Sequence, residues 1–263
     1  MCKWSERIGR KWLAAFCYLL LFSFFTPATY ATTKVYPGGQ PIDIYVESGQ
    51  CDILDNGEKV YKNCQGIGTL TYTTDTQYAA LGHGIYDEKG DLFPIAKGEI
   101  YQSTLQSIVK GKKGKPGELV GNVNMDTTDK IGSIIKNSKY GIFGTLNKGI
   151  CQQEEERAFP LASDFSEIEK GEAVIRSWVS GEPKYYHIQI LKTNAKIENG
   201  DMGMMIQVTD KELLKITGGI VQGMSGSPIV QNGKLVGAVT HVLVNDPTRG
   251  YGTFIENMLK TDE

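Results

Sequence analysis

From Gly66 onward the apolar residues of this chain come in short runs, each broken by glycine, asparagine or lysine, and few stretches repeat at helical spacing. That pattern constrains the fold more than any other feature. A helix needs an apolar face recurring every three to four residues, whereas short runs closed by turn formers suit strands. The reading is an all-β architecture. Candidate strands are Gly68 to Thr73, Tyr78 to Leu81, Gly141 to Leu146, Ala173 to Val179, Tyr185 to Leu191, Met204 to Val208, Ile229-Val230 and Leu235 to Val239. Short helices fit Lys211 to Lys215 and the carboxyl terminus. With the amino-terminal segment set aside, roughly 230 residues remain, enough for one all-β domain or two small barrels sharing a cleft.

Lys3, Arg7, Arg10 and Lys11 precede an apolar run from Trp12 to Phe25, and the small-residue site Thr29-Tyr30-Ala31 follows. Residues 1–31 therefore read as a secretory signal peptide or signal anchor, through which the chain would associate with a membrane. The run is shorter than the stretch of about 20 residues that a spanning helix needs. Residues 32–65 read as an extension and 66–263 as the functional domain. With 28 basic against 30 acidic side chains, the composition does not suit a polyanion binder, and nucleic acid is not expected as a partner. Export permits disulfides, so Cys51 and Cys64 are expected to pair, closing a short loop at a gain of about 3 kcal/mol, with Cys151 left over. The alternative is two free thiols. No Cys-x-x-Cys occurs and the histidines lack ligand spacing, so neither metal nor cofactor is expected.

The chemistry concentrates in residues 218 to 240, where Gly223-Met224-Ser225-Gly226-Ser227-Pro228 leads into a strand, a turn at Asn232-Gly233 and a returning strand. Gly223 can take a conformation closed to other residues, so the amides of Gly223 and Ser225 could together face a developing oxyanion, with Ser225 as nucleophile. Glycine, serine and proline also cluster in ordinary turns, which is the competing reading. A serine needs a base. His83, between glycines at the end of an apolar strand, is the best placed of three histidines. His187 alternates within a strand, and His241, after the strand that follows the serine, suits contact with substrate. Lys110 to Gly117 lacks the ending of a phosphate loop and reads as a solvated loop, and Glu154 to Glu156 as a charged turn.

Gly66 to Thr71, Leu81 to Ile85, Val208-Thr209-Asp210 and Gly218 to Ile229, followed by Thr240-His241-Val242 and Asn245-Asp246-Pro247, resemble in order the peptidase domain of the stage IV B sporulation protease family. The resemblance covers about 200 residues. It implies a trypsin-like double β-barrel with short helices, His83 and Ser225 coming from different barrels, and a triad of His83, Asp210 and Ser225 in which Asp210 orients the imidazole. Asp210 stands only 15 residues before Ser225, and Asp87, Asp91, Asp126 and Asp129 are physically possible substitutes. Pro37 to Ile42 resembles the opening of the peptide-binding PDZ module of longer relatives, but too few residues follow to build one.

The resemblance further implies a secreted or membrane-tethered serine endopeptidase. Relatives act between the forespore and mother-cell membranes, cutting a membrane-associated regulator of an intramembrane protease during sporulation. A catalytically silent β-domain that binds a spore-envelope partner is the alternative. An α/β-hydrolase does not fit, because serine stands where the second glycine of the nucleophile elbow belongs and alternating β/α units are missing.

Overall fold

The computed structural model describes residues 35–53, 59–122, 129–147, 158–162, 165–196 and 202–262. Strands dominate, because alternating side chains find opposite environments. Along Tyr185 to Ile190, for example, Tyr186, Ile188 and Ile190 are buried while Tyr185, His187 and Gln189 are exposed.

The strands form two closed antiparallel barrels. The first uses β2 (Pro41–Ile53), β3 (Lys59–Thr73), β4 (Gln77–Ala80), β5 (Lys97–Gln102), β8 (Lys130–Ser138) and β9 (Gly141–Leu146), closed by pairing of β3 with β4, while β1 (Tyr36–Pro37) adds to β3. The second runs β10 (Gly171–Ser177), β11 (Lys184–Lys196), β12 (Met202–Val208), β15 (Asp246–Phe254), β14 (Lys234–Leu243) and β13 (Pro228–Gln231), with β13 pairing back to β10. Between β5 and β8 a separate hairpin, β6 (Thr104–Val109) and β7 (Glu118–Asn122), leaves the first barrel. Helix α1 (Lys211–Thr217) joins β12 to β13, and α2 (Ile255–Asp262) follows β15.

Each barrel is filled by its inward row. Ile42, Ile44, Val46, Leu70, Ile100 and Ile142 occupy the first, and Ile175, Ile188, Met204, Ile206 and Ile229 the second. Removing one such side chain from water contributes about 1.5–3 kcal/mol. Tyr72, Ala79 and Phe143 point out of the first barrel and join the apolar cluster of the second, so the barrels share a packed seam. The double-barrel expectation holds.

Two expectations need correction. The domain does not begin at Gly66, which lies within β3: the preceding β2 pairs with both β3 and β5 and is an integral stave of the first barrel. Nor do Cys51 and Cys64 pair. Cys64 is a free thiol. Tyr61 lies opposite Cys51 and Val46 opposite Cys64, so the two cysteines are three residues out of register, about 10 Å along the strands, beyond the reach of a disulfide.

Residues 1–31, Cys151 and Glu154 to Glu156 lie outside the described residues. Among the described residues no helix is long and apolar enough to cross a membrane.

Candidate active site at the barrel seam

Ser225 reaches the seam because the turn before β13 is bound from both sides. Within the second barrel the Gly226 amide donates to the Val239 carbonyl at 2.8 Å, and the Val239 amide to Ser227 at 2.9 Å. From the first barrel Thr69 donates its amide to the Ser225 carbonyl at 2.9 Å and its hydroxyl to the Gly223 carbonyl at 2.7 Å. The approach is close enough that a Cβ on Gly226, whose φ is +99°, would lie 2.0 Å from the Thr69 carbonyl oxygen. The Leu81 amide donates to that same oxygen at 3.2 Å, and the chain turns there toward His83.

His83 thus enters the cleft from the first barrel while β14 of the second runs beneath it. A Cβ on Gly82 would sit 3.2 Å from Ala238 and from the Thr240 methyl. The imidazoles of His83 and His241 lie 5.0 Å apart between centroids, tilted by 31°. Nδ1 of His83 is 2.9 Å from the Gly84 carbonyl oxygen. A carbonyl only accepts, so in this hydrogen bond Nδ1 carries the proton and Nε2 is the basic nitrogen. The Ser225 hydroxyl donates to the Thr240 carbonyl at 2.7 Å, one residue before His241.

The backbone at Ser225 has the features of an anion hole. Gly223 has φ +93°, a left-handed conformation natural to glycine. Neither the Gly223 nor the Ser225 N–H donates to an acceptor among the described residues, whereas the intervening Met224 N–H donates to Val221 at 3.1 Å. Two amides left without internal partners beside a serine hydroxyl are suited to an oxygen that gains charge.

The structure therefore brings together Ser225, His83, His241 and Gly223. Asp210 is elsewhere engaged. It is the N-cap of α1, its Oδ1 accepting from the amides of Glu212 at 2.9 Å and Leu213 at 3.0 Å, and its Oδ2 from the His187 amide at 3.3 Å. Burial raises the Asp210 carboxyl, but these amide hydrogen bonds outweigh it and the net shift is downward. No hydrogen bond or ion pair joins Asp210 to His83, so the expected orienting contact is not formed. The reason is local: an aspartate at a helix start satisfies amides that would otherwise lack partners.

Of the substitutes, Asp87 accepts from the amides of Lys89 and Asp91 in a turn, the Asp129 carbonyl accepts from Gln102, and Asp126 lies outside the described residues. Sequence reasoning missed Thr69 and Thr240. Thr69 lies inside the Gly66 to Thr71 run that carries part of the resemblance, but nothing in its surroundings marks a cross-barrel donor. Among the described residues no group of three or more histidine, cysteine or acidic side chains could hold a metal.

The family model described as SpoIVB peptidase S55 matches residues 56–259. No curated protein sequence matches the chain. Among solved structures, the active form of the Rv3671c protease from M. tuberculosis is 11% identical, with 84% of this chain and 78% of that chain covered and a TM-score of 0.46. The HtrA-type protease AlgW with a tripeptide is 9% identical over 86% of this chain and 59% of that chain, at a TM-score of 0.47. Human heparin binding protein is 12% identical over 83% and 89%, at 0.41. At these scores the two-barrel assignment rests on the strand pairings of the chain itself.

Proposed function

Because the chain belongs to the SpoIVB peptidase S55 family, a family of serine endopeptidases, we propose that Ser225 is its nucleophile, His83 its general base and the amides of Gly223 and Ser225 its oxyanion hole. The observation that carries the assignment is the pair of amides without acceptors flanking Ser225 at the seam where His83 enters. On substrate binding the Ser225 hydroxyl turns from the Thr240 carbonyl toward His83. Ser225 Oγ attacks the peptide carbonyl carbon, Nε2 takes the proton, and the carbonyl oxygen, now negative, accepts from the two amides. Collapse of the tetrahedral intermediate breaks the C–N bond and returns the proton to the leaving amine. Water then repeats the sequence on the acyl-enzyme. Gly84, through its carbonyl, holds the tautomer that this chemistry needs, and His241 lines the substrate side of the imidazole.

The family supports a finer reading in which the substrate is a membrane-associated regulator of an intramembrane protease, cut during sporulation in the space between the forespore and mother-cell membranes, with residues 1–31 providing export. A fluorophosphonate probe tests the chemistry. The unsubstituted chain should be phosphonylated at Ser225 and Ser225→Ala should not. Labelling that survives Ser225→Ala, or no labelling of either protein, would remove the assignment.

A further inference from the structure

An oxyanion hole is only as reliable as whatever keeps its amides turned outward, since an N–H with no partner gains by rotating to find one. The two amides are held by different means. The Ser225 N–H shares a trans peptide with the Met224 carbonyl, which accepts from the Ser227 amide at 3.0 Å inside the same turn. In a trans peptide N–H and C=O point opposite ways, so this local bond fixes the Ser225 N–H. The Gly223 N–H shares its peptide with the Gln222 carbonyl, and nothing inside the turn holds that oxygen. It is held by the β6–β7 hairpin: the Leu119 N–H donates to it at 2.9 Å, and the Gln222 N–H donates back to the Gly117 carbonyl at 2.8 Å.

The Leu119 side chain also lies against Gly223, 3.0 Å from where a Cβ would stand. The hairpin itself is fastened at both ends. At its base the Ser103 hydroxyl donates to Asp43 of β2 at 3.1 Å. Near its tip the Gly111 amide donates to Thr217 and the Gly114 amide to Val244, each at 2.8 Å, both acceptors belonging to the second-barrel half. It is a strap from one barrel to the other that passes under half of the hole.

We propose that Leu119 is a positioning residue for catalysis, acting through the Gln222–Gly223 peptide: its backbone N–H holds the Gln222 carbonyl and so keeps the Gly223 N–H facing the substrate oxygen. Without it the glycine peptide is free to turn over and one of the two donors is lost. This inference rests on the protease reading above.

The test removes that N–H. Leu119 lies opposite Ile108, and its N–H points away from β6 toward Gln222, so Leu119→Pro takes nothing from the hairpin ladder. In the full-length chain, with a fluorogenic peptide that the unsubstituted enzyme cleaves, Leu119→Pro should lower kcat by about 10²–10³-fold, the effect of losing one oxyanion donor, with KM within about threefold and fluorophosphonate labelling slowed in parallel. Leu119→Ala keeps the N–H and should cost less than about tenfold. A folded Leu119→Pro protein with kcat within about threefold of the unsubstituted one, or a loss confined to KM, overturns the proposal. Should the proline variant fail to fold, an ester linkage at position 119, which deletes the N–H alone, carries the same expectations. Failure of the unsubstituted chain to react with fluorophosphonate would instead refute the protease reading itself.

Discussion

A carboxylate is oriented by the donors nearest to it, and for Asp210 these are the first amides of α1 and the amide of His187. Asparagine caps a helix nearly as well as aspartate, so Asp210→Asn should keep turnover within about tenfold, while Asp210→Ala should lower unfolding free energy by about 1 kcal/mol. A loss of about ten thousand-fold in Asp210→Asn, as expected of a residue that orients the base, would reinstate it in the triad. The depressed carboxyl contributes stability above its unfolded value, and that contribution fades as pH falls through the folded one. Ser227 presents the opposite case: its hydroxyl is fully buried and has no hydrogen-bond partner among the described residues, so Ser227→Ala should keep activity and leave the melting temperature unchanged or slightly raised. A drop of several degrees would show that the hydroxyl has a partner in solution. The placing of Ser225 and His83 at exposed turns was legible in the sequence because neighbouring glycines leave a local pattern. The cap role of Asp210 was legible too, in an aspartate directly before a helix start, but the resemblance pointed to the triad instead.

Among the elements, the strands of the second barrel between Gly171 and Leu243 were legible because their alternation is clean, whereas β15 was not. Its sequence, Asp-Pro-Thr-Arg-Gly-Tyr-Gly-Thr-Phe, reads as a turn. The glycines are there for space: a Cβ on Gly250 would lie 2.3 Å from the His241 carbonyl oxygen, and one on Gly252 2.8 Å from Ile229. Close approach of a partner strand leaves no trace in the strand that makes room for it. The β6–β7 hairpin was equally hidden, since half-exposed serine, glutamine and threonine do not alternate in hydropathy. Beneath its base lies Asp43, 1% exposed, with one carboxylate oxygen accepting from Ser103 and the other without a partner among the described residues. Burial pushes its carboxyl up to about 6, against a smaller lowering by Ser103. The folded state therefore holds this proton more tightly than the unfolded chain, and stability should fall as pH rises from about 4 to about 6, by on the order of 2–3 kcal/mol. Chemical unfolding across that range should show the decline, and Asp43→Asn should flatten it. An unchanged slope in the variant would place the titration elsewhere.

In the whole molecule Ser225 and His83 arrive on different barrels, and the seam between them has no slack at Gly226. A methyl group there meets the Thr69 carbonyl in a left-handed backbone conformation, so Gly226→Ala should cost about 2–5 kcal/mol and lower activity further by parting Thr69 from the Gly223 carbonyl. An unchanged urea midpoint would show that the barrels separate easily. The order in which the parts are made adds a consequence of its own. The strap and the base lie in the first half of the chain, Ser225 comes far later, and β15, which closes the second barrel between β12 and β14, follows every other strand. A chain made only as far as β14 therefore carries an imidazole, a serine and a strap before the second barrel can close around them. On the protease reading, activity appears only once the final stave is in place, and a chain ending before β15 should be inactive.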